Sequence, residues 1–154
     1  KEQKKYVNSY YFVDALSKVL NKMSDSPTNY ILGIRGATTA TENTSEAILN
    51  ATEELLQSIV EVNQISLNEI AAVFLTATKD LNAAFPATAA RVRLSWDNIA
   101  LMDGPHMDVP GSQPRCIRAL ILVNSSKNHT NIENIYLHEA RNLKRQAEDL
   151  TDKT

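Results

Sequence analysis

Apolar and polar positions alternate along the chain in a way that divides it into short strands and intervening helices. Residues 6–23 place Val7, Tyr11, Phe12, Ala15, Leu16, Val19, Leu20 and Met23 at helical spacing, with lysines opposite, which predicts an amphipathic helix. "SDSPTN" at 24–29 reads as a linker because Pro27 and its neighbours favour turns. Residues 30–34 form a short apolar strand ending in "IRGATTA", where Gly33 and Gly36 flank Arg35 and allow bending or close approach of the backbone. A long helix follows: Asn43 and Glu46 have capping-box spacing, and Ile48, Leu49, Leu55, Leu56, Ile59 and Val60 supply its apolar face. "SLNE" at 66–69 repeats that capping signature and opens one short turn.

"AAVFLTA" at 71–77 is apolar almost throughout, as in a strand buried on both faces. Pro86 suits the first turn of a helix running to about residue 95. Strands at 99–102 and 115–124 bracket "MDGPHMDVP", a stretch unusually rich in ionisable groups for a connection. "SSKNHTN" is a polar turn, residues 132–140 alternate loosely as a last strand, and a charged tail lies beyond Leu143. Five strands interleaved with helices predict an α/β or α+β fold, with no internal repeat.

Composition narrows the function classes. A chain of 154 residues is long enough for one domain with a real core. A formal net charge of −2 gives no electrostatic case for binding nucleic acid or a membrane surface. No apolar run approaches the roughly 20 residues that span a bilayer. Lys1 to Lys5 precede no apolar core of secretory type, so no signal peptide is expected. The one cysteine, Cys116, excludes an intramolecular disulfide and a cysteine-based zinc cage; its apolar setting predicts a buried, inert thiol.

No nucleotide-binding glycine pattern, zinc-binding helix motif or serine nucleophile elbow occurs. His106, His129 and His138 are too scattered to argue for a metal site. Arginine placement remains: Arg35 ends a strand between glycines, Arg91 lies on the helix after Pro86, and Arg115 and Arg118 bracket "CI" at a strand start. Arg115 and Arg118 would point to opposite faces of a regular strand. Such arginines suit bidentate binding of a carboxylate or phosphate, and surface ion pairs explain them as often. Composition and spacing thus reach a small-anion binder or an enzyme acting on one.

"GIRGATTA" before a capped helix, then "FLTATKDLNAAFPATAAR", "MDVPGSQPRCIRALI" and "IENIYLHEA", in this order and at these intervals, resemble the chorismate mutases of the trimeric α/β type. The resemblance runs from about Ile31 to Lys144, and the first 30 residues lie outside it. It implies a division into 1–29, an N-terminal helix and linker, and 30–154, the mutase-like domain. It also implies a mixed five-stranded sheet with flanking helices, three copies forming a pseudo α/β barrel, and sites between subunits. The implied activity is the Claisen rearrangement of chorismate to prephenate, in aromatic amino-acid biosynthesis. That isomerisation needs no cofactor, metal or nucleophile; it needs a dianion held in its reactive conformer and a donor for the breaking ether bond. A cytoplasmic location follows, with an organelle as the alternative raised by the N-terminal extension.

Carried over by position, the resemblance assigns Arg118 to the ether oxygen and a carboxylate, and Arg35 to a substrate carboxylate beside a hydrogen bond from Tyr136. Phe85 and Leu143 would pack on the substrate, Arg91 would add positive potential at the mouth, and Lys144 is a substrate-binding position where the family commonly has an arginine. Departures cluster in the ionisable stretch. The family has a lysine where Thr88 stands, often a cysteine at Asp103, and a glutamate for the substrate's ring hydroxyl at His106. Three readings follow. Asp103 supplies the carboxylate, provided Gly104-Pro105 breaks the strand alternation; or neutral His106 accepts the hydroxyl with Asp103 orienting it; or the chain is an inactive homologue, a trimeric protein that binds chorismate or a related small dicarboxylate.

Overall fold

The computed structural model describes residues 17–18, 30–127 and 129–143. The predicted helix over 6–23 lies outside them except for residues 17–18, which are helical, and Lys144 also lies outside. The elements are β1 (Tyr30–Thr39), α1 (Ser45–Asn63), a 3-10 turn (Leu67–Glu69), β2 (Ile70–Ala77), α2 (Ala87–Val92), β3 (Ala100–Pro105), β4 (Cys116–Ser125), β5 (Ile135–Tyr136) and a 3-10 turn at His138–Ala140. The five strands form one mixed sheet in the order β3-β2-β4-β1-β5. Antiparallel β4 lies at its centre between β1 and β2, while β5 and β3 pair in parallel with β1 and β2 at the edges.

One face of the sheet carries Leu32, Ile34, Val73, Leu75, Ile117, Ile121 and Val123, and α1 covers it with Ile48, Leu55, Leu56 and Ile59. All are buried, and this layer is the core. Gly36 of β1 lies on the same side. A β-carbon there would stand 2.5 Å from Ile59 Cδ1 and 3.0 Å from Leu55 Cδ1, so the glycine lets the helix rest directly on the strand. On the opposite face the described residues cover only the end at Ala37 and Cys116, where Ala140 packs, and Ile31, Phe74, Met102 and Leu120 are exposed.

Several boundaries differ from the sequence expectation for identifiable reasons. β1 does not end at residue 34 but continues through "RGATT", because β4 pairs with it at all ten positions. The cap of α1 is Thr44 rather than Asn43: Thr44 Oγ1 accepts from Ala47 N–H at 3.2 Å. Asn43 instead bonds the loop at Asn82 and Ala83. Helix α2 stops at Val92 instead of about 95, since the chain turns at Ser95 (φ 56°) and buries Trp96 in the core. β3 is longer than expected and takes in Asp103, Gly104 and Pro105. The last strand shrinks from 132–140 to Ile135–Tyr136, because His138 (φ 49°) turns the chain out of extended conformation. "SLNE" does form its short turn, with the Glu69 carboxylate accepting from Ser66 N–H at 2.8 Å.

Candidate active site

The strand registers align one row of residues across the whole sheet: Gly104, Thr76, Arg118, Ala37 and Tyr136. All belong to the face that α1 leaves uncovered, because side chains two apart along a strand share a side. Small Ala37, buried with Cys116 and Ala140, stands between Arg118 and Tyr136 in this row. Arg35, two positions from Ala37, points the same way. Together with Phe74, Leu120 and Leu143 these groups line a cleft of about 530 Å³. The structure thus brings together Arg35, Arg118, Tyr136 and Leu143, which lie up to about a hundred positions apart in sequence.

Two hydrogen-bonded anchors hold this arrangement from outside. Thr78 Oγ1 accepts from Cys116 N–H at 2.9 Å and donates to Asp80 at 2.5 Å, while the other oxygen of Asp80 accepts from Arg115 N–H at 2.8 Å. Burial pushes the Asp80 carboxyl up, but the Thr78 hydroxyl and Arg115 amide outweigh it and keep the group below its ordinary range. This fixes the first residue of β4, two positions before Arg118. At the other edge, Asn63 at the end of α1 bonds both backbone groups of Glu133, and Asn134 Oδ1 accepts from Arg35 N–H at 2.9 Å.

Arg118 Nε is buried and has no hydrogen-bond partner, one of two such side-chain atoms among the described residues. A buried donor left unpaired is costly, which makes this atom a candidate donor to a ligand's acceptor. Cys116 lies beneath it, buried with Ala37 and Ala140. Burial pushes its thiol pKa up despite the neighbouring guanidinium, which keeps it a thiol.

His106 follows the end of β3, with its N–H bonded to Ala77 O at 2.8 Å and its Nδ1 3.4 Å from Thr76 Oγ1. Burial and then the charge of Arg118 hold its pKa below the ordinary 6.5, which favours the neutral ring. Asp103 goes elsewhere. Gly104 and Pro105 do not break the alternation, and β3 stays in register with β2 through Pro105. Asp103 is therefore paired with core-facing Leu75, on the side away from His106. Its carboxylate accepts from Ala87 N–H at 3.0 Å, at the start of α2. Burial raises its pKa, opposed by that bond and by Arg91. Within one chain, Asp103 neither takes the place of a carboxylate at 106 nor orients the imidazole.

A second cleft, of about 400 Å³, contains Asp103 together with Phe85, Pro86, Leu81 and Lys79. Phe85 is 72% exposed, an aromatic ring with one face unfilled. Arg91 follows on α2, close enough to act on Asp103. One chain therefore carries two separate clefts: the Arg118 cleft with His106 near it, and the Phe85 cleft with Asp103, on which Arg91 acts. Thr76, Phe74 and Leu120 are site-lining residues that sequence reasoning missed. Phe74 and Thr76 share one face of β2 at a spacing of two, but the near-continuous apolar run hid which face was uncovered. Among the described residues, no group of three or more His, Cys, Asp or Glu side chains is placed to hold a metal ion.

The family model described as chorismate mutase type I matches residues 31–147. Chorismate mutase AroH of Thermus thermophilus is 44% identical over 119 residues, covering 77% of this chain and 97% of that protein. Chorismate mutase AroH of Bacillus subtilis (strain 168) is 38% identical over 109 residues, 71% of this chain and 86% of that protein. Among solved structures, a chorismate mutase from Clostridium thermocellum superposes with a TM-score of 0.70 at 43% identity. That match covers 71% of this chain and 97% of the other.

Proposed function

The chain belongs to the chorismate mutase type I family, and from that premise we infer which of its groups carry the reaction. It is a chorismate mutase, an isomerase of aromatic amino-acid biosynthesis that rearranges chorismate to prephenate. The observation that supports placing the chemistry on the uncovered sheet face is the buried, unpaired Nε of Arg118 in the cleft floor. In the rearrangement an ether C–O bond breaks while a C–C bond forms within one molecule, and negative charge grows on the ether oxygen. Arg118 donates to that oxygen and also meets a carboxylate. Because its donor is already desolvated and fixed, little reorganisation accompanies the charge shift. Arg35 binds a substrate carboxylate, Tyr136 donates beside it, and Leu143 packs on the ring.

His106 occupies the place where the resemblance implies a glutamate for the ring hydroxyl. With Nδ1–H donating to Thr76 Oγ1, Nε2 keeps a lone pair that accepts from that hydroxyl. The required form is the neutral one, so the sign of the pH dependence is fixed. kcat/KM is expected to be level above the ordinary histidine range and to fall as pH drops through a midpoint below 6.5, where the ring protonates. His106→Gln keeps an acceptor that does not titrate and should flatten this limb. An acid limb that is the same in His106→Gln as in wild type removes His106 from the hydroxyl contact.

The second cleft serves a neighbouring copy. Exposed Ile31, Phe74, Met102 and Leu120 form the apolar sheet face on which copies of this chain pack as a homotrimer. Phe85 and Arg91 of one subunit then complete the Arg118 cleft of the next, with Arg91 adding charge at its mouth, and Lys144 is a further substrate-binding group. The mutase-like domain spans 30–154, preceded by an accessory segment, and works in the cytoplasm; no described helix is long and apolar enough to cross a membrane. Incubating the purified chain with chorismate, with no added metal or cofactor, is expected to deplete it and yield prephenate. A folded protein that leaves chorismate untouched overturns the assignment.

A further inference from the structure

Beyond the Asn63–Glu133 anchor, the chain that carries Tyr136 is joined to the sheet by few backbone bonds. β5 pairs with β1 at only two positions, and one further backbone bond, Leu137 N–H to Ala37 O at 2.9 Å, follows it. The next residue, His138, takes a left-handed backbone (φ 49°), a conformation that a residue with a β-carbon rarely adopts without compensation. Its side chain supplies that compensation: His138 Nε2 lies 2.7 Å from Glu54 Oε2 on α1, in the layer on the other side of the sheet. Beyond the turn, buried Ala140 packs against Ala37 and Cys116, and the chain reaches Leu143 at the cleft.

We propose that the Glu54–His138 pair is a clasp that positions Tyr136 and Leu143, two residues before and five after the turn, against the substrate cleft. Both residues lie outside that cleft, so they act through the segment they hold. The proposal rests on the mutase reading of the Arg118 face. Other charged groups share the recess around the pair, but they are engaged elsewhere. The Arg115 guanidinium donates to Thr41 O, and Glu139 accepts from Gln113 at 3.1 Å. Glu54 is thus the partner that His138 has for this turn among the described residues. Losing it lets the turn relax and the segment from Tyr136 to Leu143 sample positions away from the cleft. Arg118, held by the central strand, stays in place. Substrate binding suffers and the chemical step does not.

The test uses the full chain with Glu54→Ala and Glu54→Gln, the latter keeping an amide oxygen that accepts from Nε2–H. For Glu54→Ala, KM for chorismate is expected to rise about threefold to fivefold with kcat within about twofold of wild type, the scale of a partly exposed pair. Trypsin cleavage after Arg141, an exposed site in the clasped segment, should quicken in parallel, and Glu54→Gln should restore most of both. An unchanged KM and cleavage rate in Glu54→Ala, with wild type active, overturns the clasp. Equal loss in both variants also overturns it, because a bulk structural role shows no rescue. If wild type itself does not consume chorismate, the mutase reading fails instead, and the cleavage rates alone decide the clasp.

Discussion

Replacing Arg118 with alanine is expected to lower kcat about 100- to 1000-fold, the ~3–4 kcal/mol that one donor aimed at developing charge contributes. The stability of the fold should not fall with it. Nε has no hydrogen-bond partner, and the one partner among the described residues that truncation leaves behind is the Cys116 thiol, a weakly bonding group that burial keeps protonated. The denaturation midpoint should hold or rise, which separates a catalytic loss from a folding loss. Arg118→Lys should recover only part of the rate, since an ammonium on a flexible stem cannot present the fixed guanidinium fork. The measurement is the loss of chorismate absorbance at saturating substrate, with the midpoint followed in parallel. A fall in kcat of less than about tenfold would detach Arg118 from the breaking bond.

The largest expected loss of stability belongs to Ile59→Ala. Truncating a buried isoleucine typically costs about 2–5 kcal/mol, the upper part where the surroundings cannot close on the void. Ile59 is fully buried and rests on Gly36, which has no side chain to move into the space. Leu55 is fixed in the same contact. We expect a lower urea midpoint with an unchanged denaturant slope, since the surface exposed on unfolding stays the same. The void would open beneath Arg35, Gly36 and Ala37, so a rise in KM should accompany the loss. A cost under about 1 kcal/mol would mean that α1 settles onto the strand.

Much of the fold was legible because its strongest signals are local. The period of α1, the apolar run of β4 and the turn chemistry of "SLNE" each depend on neighbours a few residues away, and each lies close to where it is expected. The elements that were misjudged depend on distant partners. β1 extends through two glycines because β4 pairs with it, and β5 is cut short because Glu54, 84 residues from His138, secures a turn there. The candidate site divides the same way. Arg35, Arg118 and Tyr136 were found through resemblance, and the register places them on one face. The side taken by Asp103 was decided by whether Gly104 and Pro105 interrupt β3, which the dipeptide alone cannot reveal. They do not, and the imidazole of His106 is left to stand next to Thr76 and near Arg118.

The Thr78–Asp80 anchor has a consequence for how this chain can vary. It grips the backbone at Arg115 and Cys116, and Arg118 takes its side of the sheet by parity, two residues on from Cys116. One residue inserted or deleted within that interval would leave the anchor satisfied and turn the arginine into the α1 layer. The loop over 106–114 lies ahead of the anchor, so its length can change without altering that count. Viable length variants of this protein should therefore gather before the anchor, with the single residue between Cys116 and Arg118 never lost or doubled even where its identity differs.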